Sequence, residues 1–440
     1  MKKKYKKFIL ILIYFLSPVP VFLIFYALTP AKPYHTPLRL IADFMAITAY
    51  IWFIYQFILT SRLKFIDRIF GMDKIIHFHI IMSVIAIQLA ITKAIIFIII
   101  GKNDITQIGS GINAAVQFIV LMILGLVYLR GSGVKKRRIK YNVAKFIHNF
   151  TIFSASYIFL HVLLSNSAYE SIILIIIFAA YFFMALGFWL NFKIFRRLKL
   201  KKNPYVITEV KNEAGTYWTL YLKSKIGNPI EYKPGQYSYI SIIGKEVSKE
   251  FHPFSFSSSP AKKNTISFTI KELGDYTNDI SKVKVGDIAY IEGPYGIFNA
   301  LNSDAEEIVF IAGGSGITPF LSFMRYMKDT NTSRNITLLW GIKFPYEIFL
   351  KDEFEKMMEL NPNLKIFPVV SDDANWEGER GFIDRDKLDR LAPCEDPGKN
   401  IQKKDYYICG PPIMMKKVVP TLKSMGVNKK NYIHLEKFNR

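Results

Sequence analysis

Ile308-Val309-Phe310-Ile311-Ala312-Gly313-Gly314-Ser315-Gly316-Ile317-Thr318-Pro319 reads as a short buried strand that runs into a glycine-rich turn and then a helix. Five consecutive apolar residues suit a strand covered on both faces. Glycines let the backbone approach a phosphate closely, and a helix N-terminus favours its negative charge. Further strands at Ile336–Gly341, Lys365–Ser371 and Asp405–Cys409 complete a parallel sheet of the α/β kind. The last ends in Cys409-Gly410-Pro411-Pro412, and ligands of open α/β sheets bind beyond the carboxyl ends of strands. A glycine turn alone is a weak signal. Between a strand and a helix, with a second turn at a later strand end, it is strong.

Working upstream, the stretch 203–302 shows short strands and turns without a long helix. Tyr205–Val210, Tyr217–Leu222 and Ile266–Lys271 read as strands, and Lys233-Pro234-Gly235-Gln236 and Glu292-Gly293-Pro294-Tyr295-Gly296 as turns. This pattern predicts a small antiparallel β-barrel. Within it, Phe251-His252-Pro253-Phe254-Ser255-Phe256-Ser257-Ser258-Ser259-Pro260 alternates aromatic and hydroxyl residues. Such a run offers a flat apolar wall and a hydrogen-bonding edge, the two surfaces a flavin ring needs. A half-buried strand is the competing reading. Gly274 and Thr277 suit the approach of backbone N–H groups and a hydroxyl to a diphosphate.

The first 202 residues are of another kind. They hold 26 of the 58 Lys and Arg residues but only five acids, Asp43, Asp67, Asp73, Asp104 and Glu170. Six apolar spans, about 8–28, 38–60, 75–100, 112–129, 141–165 and 171–192, are each long enough to cross a hydrocarbon core of about 30 Å. The bases fall in alternate loops, which implies a multi-pass protein of the plasma membrane with both termini cytoplasmic. Its partner is then the lipid bilayer, with no nucleic acid. A cleaved signal peptide over residues 1–31 is the rival reading of the first span. The cysteines, Cys394 and Cys409, suggest no disulfide framework.

Polar side chains inside such spans are costly and call for a reason. His79 on the third span and His148 on the fifth sit at matching depth near the cytoplasmic ends, while His161 lies toward the outside. A neutral imidazole is a common axial ligand of heme iron, so His79, His148 and His161 are the candidate metal ligands. Histidines bonded to carbonyls of neighbouring helices are the structural alternative. Thirteen residues separate His148 from His161, so they share a face only if that helix is bent or bulged. Lys93 stands where an outer partner for His161 belongs. The expected structural reading is an Asp43–Lys93 ion pair; Lys93 as iron ligand or propionate partner is the alternative.

The motifs His252-Pro253-Phe254-Ser255, Gly293-Pro294-Tyr295-Gly296, Gly313 to Pro319, Cys409-Gly410-Pro411-Pro412 and Glu436-Lys437-Phe438 resemble the ferredoxin–NADP reductase dehydrogenase unit. Joined to six spans with internal histidines, the chain resembles the NADPH oxidase/ferric reductase flavocytochrome b family over nearly its whole length. The resemblance implies a membrane domain over 1–202, an FAD-binding β-barrel domain over 203–302 and an NAD(P)H-binding α/β domain over 303–440. It implies cofactor contacts from His252, Pro253, Phe254, Ser255 and Lys271, with Gly274 and Thr277 near the FAD diphosphate. It assigns Gly313, Gly314, Gly316, Ile317 and Thr318 to NAD(P)H, and Cys409, Gly410 and Pro411 to the nicotinamide end. Phe438 would cover the flavin and move aside, which makes Phe438, Cys409 and Ser255 the residues closest to the chemistry. His79 and His148 match the inner heme pair. At the outer pair Lys93 departs from the family, so one heme b is expected and a second is in question.

The expected activity is electron transfer from cytosolic NAD(P)H through FAD and heme b to an acceptor outside: a ferric chelate, dioxygen giving superoxide, or a protein partner. The rivals are a flavin reductase whose membrane half is an anchor or docking platform, and a heme sensor. NADH versus NADPH is open, with Lys343 favouring a 2′-phosphate and Asp372 opposing it.

Overall fold

The computed structural model describes residues 3–29, 36–100, 146–163, 171–393, 404–427 and 432–437. The chain forms two compact units, Met1–Arg197 and Leu198–Arg440.

The first unit is helical. α1 (Lys3–Leu16) and α2 (Pro18–Leu28) meet at Ser17, whose hydroxyl donates to the Tyr14 carbonyl just before the proline that opens α2. α3 (Pro37–Thr60) is capped by Thr36, α4 is Lys64–Phe70, and Gly71 at φ 85° turns the chain into α5 (Met72–Ile99). α6 (Thr151–Leu163), α7 (Ile172–Leu190) and α8 (Arg196–Lys201) follow. Five helical stretches are long and apolar enough to cross a membrane: Lys4–Leu28, Pro37–Thr60, Met72–Ile99, Phe146–Leu163 and Ile172–Lys201. The described residues thus give five spans where six were expected, the fourth (112–129) lying outside them. α3 is the central post, with 56% of its most apolar window buried against 17–22% for the others. Ile51 and Ile54 are fully enclosed by residues such as Phe25, Ile87, Ala155 and Phe178.

The helix carrying His148 is interrupted before α6 begins. Asn149 and Phe150 N–H donate to the carbonyls three residues back, Phe146 and Ile147, before α6 resumes at Thr151. Such tight turns shift the angular register of everything beyond them.

The second unit holds two sheets. β1 (Tyr205–Ala214), β2 (Tyr217–Ser224), β3 (Tyr237–Ile243), β4 (His252–Ser255), β5 (Ile266–Lys271) and β6 (Ile288–Tyr295) pair antiparallel in the order β4-β3-β6-β1-β2-β5. The expected closed barrel is corrected here to an open antiparallel sheet, because among the described residues no ladder joins β4 to β5. β4 is only four residues long, and its Pro253 has no N–H to donate. Beyond its end a backbone bond, Ser257 N–H to Ser267 C=O at 2.8 Å, bridges the gap.

β7 (Glu307–Gly313), β8 (Asn335–Ile342), β9 (Leu364–Val370), β10 (Glu379–Arg380), β11 (Lys404–Gly410) and β12 (Ile433–Lys437) form a parallel sheet ordered β10-β9-β8-β7-β11-β12. α9 (Thr318–Asp329), α10 (Lys351–Leu360), α11 (Arg385–Leu391) and α12 (Pro412–Ser424) accompany it. The chain runs outward from β7 through β8 and β9, then returns to the other side of β7 as β11. The order reverses between β7 and β11, so their carboxyl ends frame the crevice where such sheets bind ligands.

Candidate dinucleotide and flavin sites

Both glycine turns lie in that crevice. Ala312 and Cys409 are partners across β7 and β11, so Gly313–Thr318 and Gly410–Pro411 leave the sheet side by side. Their packing is backbone on backbone: a Cβ on Gly316 would lie 2.1 Å from the Cys409 carbonyl oxygen. Only glycine fits there. Gly314 adopts φ +53°, and the Trp340 indole N–H on β8 donates to its carbonyl at 2.9 Å. Thr318 starts α9 and its hydroxyl donates to the Ser315 carbonyl at 2.8 Å, which spends it within the turn. The thiol of Cys409 points into the core at 0% exposure, and burial, then the nearby Glu436, push it up. It remains a protonated packing group, and the backbone of this turn is what lines the crevice. Ile317 is likewise core. Phe438 lies outside the described residues.

A polar cluster that motif reading missed stands beside the turn. Tyr217 opens β2 with 0% exposure, and its hydroxyl has no hydrogen-bond partner among the described residues. That hydroxyl lies 3.5 Å from where a Cβ of Gly314 would sit. Burial, then Glu347, push its phenol up, so it stays an O–H donor. Lys271 at the end of β5 spans the Tyr217 ring at 4.6 Å and pairs with Glu347 at 2.7 Å. An orphaned buried donor, a lysine and free turn geometry suit an anionic ligand. Only Lys271 of this set was legible from sequence.

At the flavin stretch, His252 stacks on Tyr276 with ring centroids 3.8 Å apart, and Phe254 lies 6.2 Å from the same ring. Glu250 meets His252 Nε2 at 3.1 Å. Pro253 is exposed and Ser255 buried. The run is not one continuous wall, since Phe256 is fully buried against Tyr232 at 3.9 Å. Phe254 alone of that pair keeps exposed surface. Thr277 accepts from the N–H groups of Leu273 and Gly274 at 2.9 and 3.0 Å, fixing the turn that presents Tyr276. Tyr276, framed by Gly274 and Thr277, is the aromatic that sequence reading passed over.

In the helical unit His79 and His148 come together with ring centroids 6.4 Å apart. His79 Nδ1 meets Gln56 Oε1 at 2.9 Å, and His148 Nδ1 is buried without a hydrogen-bond partner among the described residues. His77, two residues before His79 on the same helix, is exposed. His161 lies within electrostatic range of Lys93, whose ammonium sits 4.6 Å from the Phe97 ring centre. Asp43 pairs with Arg39 at 3.8 Å, one turn back on α3. Among the described residues, no group of three or more His, Cys, Asp or Glu could hold a metal ion.

The second unit carries an FAD-binding domain followed by an oxidoreductase NAD-binding domain. Residues 202–299 match the FAD-binding domain family, and residues 310–419 match the oxidoreductase NAD-binding domain family. Its relatives include a component of the Na(+)-translocating NADH-quinone reductase of Idiomarina loihiensis, 29% identical over 211 residues, 44% of this chain and 51% of that protein. The phenol 2-monooxygenase reductase component DmpP of a Pseudomonas species is 30% identical over 207 residues, covering 46% and 56% respectively. The chain thus spans about half the length of the curated relatives it matches. Among solved structures, the FAD/NAD-binding domain of a Vibrio cholerae nitric oxide dioxygenase aligns at 23% identity and a TM-score of 0.47, over 54% of this chain and 99% of that one.

Proposed function

We propose that the chain carries electrons from cytosolic NAD(P)H, through FAD and one heme b, across the plasma membrane to a ferric chelate or dioxygen outside. When bound, FAD takes the hydride and passes electrons on singly, and heme iron accepts and releases them one at a time. The chain's own residues hold and orient. The Gly313–Thr318 and Gly410 backbone cradles the dinucleotide diphosphate, with Tyr217 and Lys271 beside it. Phe254 and His252 offer faces to the flavin, with buried Tyr276 stacked behind His252, and Ser255 lies by its reactive edge. Phe438, one residue past β12, is proposed as the flavin cover.

The observation that carries the membrane half of the reading is the 6.4 Å between the His79 and His148 ring centres. Two imidazoles bound end-on to one metal, with bonds of about 2 Å, place their ring centres roughly 6 Å apart. Two protein ligands are too few for a structural metal site but are the number a porphyrin-held iron takes. Lys93 beside His161 suits a chain with the inner heme alone. At the dinucleotide, Asp372 N–H bonds the Lys343 carbonyl at 2.9 Å, which brings both residues to the ends of β8 and β9. The exposed Asp372 carboxylate favours a ribose hydroxyl over a 2′-phosphate, and hence NADH.

The test is the reduced-minus-oxidised spectrum of the purified chain, with its heme-to-flavin ratio. One heme per flavin is expected. A flavin-loaded chain with no heme band, active toward soluble dyes, would instead support a reductase with a membrane anchor. That second reading draws on the curated relatives named as reductase components, which match only the flavin half.

A further inference from the structure

Gln56 lies on α3 with 5% exposure, between three helices. Its Nε2 is 2.6 Å from the Trp52 carbonyl and 3.1 Å from the Tyr14 hydroxyl of α1, and its Oε1 is 2.9 Å from His79 Nδ1 of α5. A peptide carbonyl can only accept, so the amide NH₂ must face Trp52 and the amide oxygen must face His79. That oxygen can in turn only accept. Nδ1 of His79 therefore carries the proton, and Nε2 keeps its lone pair. Tyr14 is itself fixed, since it stacks on Trp52 at 5.9 Å and its carbonyl accepts from the Trp52 indole N–H at 3.2 Å. His148 has no equivalent brace at Nδ1 among the described residues.

We propose that Gln56 is a positioning residue that sets the tautomer, ring orientation and donor strength of His79 for the heme iron. This rests on the heme reading above. A hydrogen bond accepted from the far ring nitrogen raises a ligand's basicity and favours the oxidised metal. Removing the acceptor should make the heme easier to reduce, and a charged acceptor should make it harder.

The experiment is a redox titration of the heme band in the full-length wild type, Gln56→Leu and Gln56→Glu. Gln56→Leu is expected to shift the one-electron reduction equilibrium about tenfold toward the reduced form, or about 59 mV upward. Gln56→Glu is expected to shift it the opposite way. Loss of heme from Gln56→Leu with retention in Gln56→Glu also supports the assignment, because only the acceptor separates them. An unchanged potential in Gln56→Leu, shifts of the same sign in both, or loss of heme from both overturns it. A wild type without heme overturns the parent reading instead, which the untitrated spectrum reveals first.

Discussion

The two units solve burial in opposite ways. In the helical unit large apolar side chains face outward, Phe8, Ile98, Phe153, Ile172 and Phe183 among them, as hydrocarbon surroundings allow. Its polar groups are few, so each one stands out: Gln56 bonds His79 at 2.9 Å, and the His148 ring lies 6.4 Å from that of His79. In the sheet unit polar groups are many, and networks pair several of them. Arg325 on α9 grips Glu353 with two bonds at 2.8 and 2.7 Å and donates a third to the Ser257 carbonyl, while Ser322 reaches the Ser258 carbonyl at 2.6 Å. Scarcity makes chemistry conspicuous in the first unit. In the second, the glycine turns are shaped by backbone contacts, and side-chain inventory alone does not reveal them.

The sharpest way to break this contrast is to remove one scarce group. His148→Leu is expected to abolish the heme absorbance entirely while flavin absorbance persists. Retained heme would show that the pairing with His79 is structural. Next is a change with almost no chemistry. Gly316→Ala adds one methyl against the Cys409 carbonyl and is expected to slow NAD(P)H oxidation about 100-fold, by displacing the bound dinucleotide. A stopped-flow rate within about threefold of wild type would mean that the turn does not hold the cofactor.

Smaller effects should come from the paired polar seam. Arg325→Met leaves Glu353 without its partner and is expected to cost about 2 kcal/mol, read as a lower temperature of flavin release. Burial alone would raise the Glu353 carboxyl, but its bonds to Arg325 outweigh that and hold it below the usual range. A lowered folded pKa stabilises above the unfolded value of about 4.3, and the gain is lost as pH falls through the folded value. The release temperature of the wild type should therefore drop below about pH 4, and that of Arg325→Met should drop less. Smallest is Asp372→Ser, expected to raise NADPH use relative to NADH about tenfold in kcat/KM. An unchanged ratio places the 2′ contact elsewhere.

The parallel sheet was legible because five apolar residues followed by spaced glycines constrain the backbone to few solutions. The antiparallel domain was legible as strands, but not in its closure. Whether β4 meets β5 depends on a four-residue strand with a proline, a balance that strand patterning does not contain. Phe254 and Phe256 are indistinguishable by alternation, and it takes Tyr232 and Phe268 on other segments to send one to the core. Tyr217, Glu347 and Trp340 reach the glycine turn from separate strands and loops, so no local motif unites them. Gln56 is one amide on an apolar helix, meaningful only once Tyr14 and His79 are brought to it.

Where Gly316 meets Cys409 and Gly410, main chain meets main chain, while the Met414 side chain closes against Gly313 and Gly410. On the Gly316 side the gauge of that slot is therefore set by the peptide geometry itself, and a side chain added there cannot gradually widen or narrow it. Any drift in coenzyme choice has to occur at its rim, on the outward ends of β8 and β9, leaving the throat unaltered.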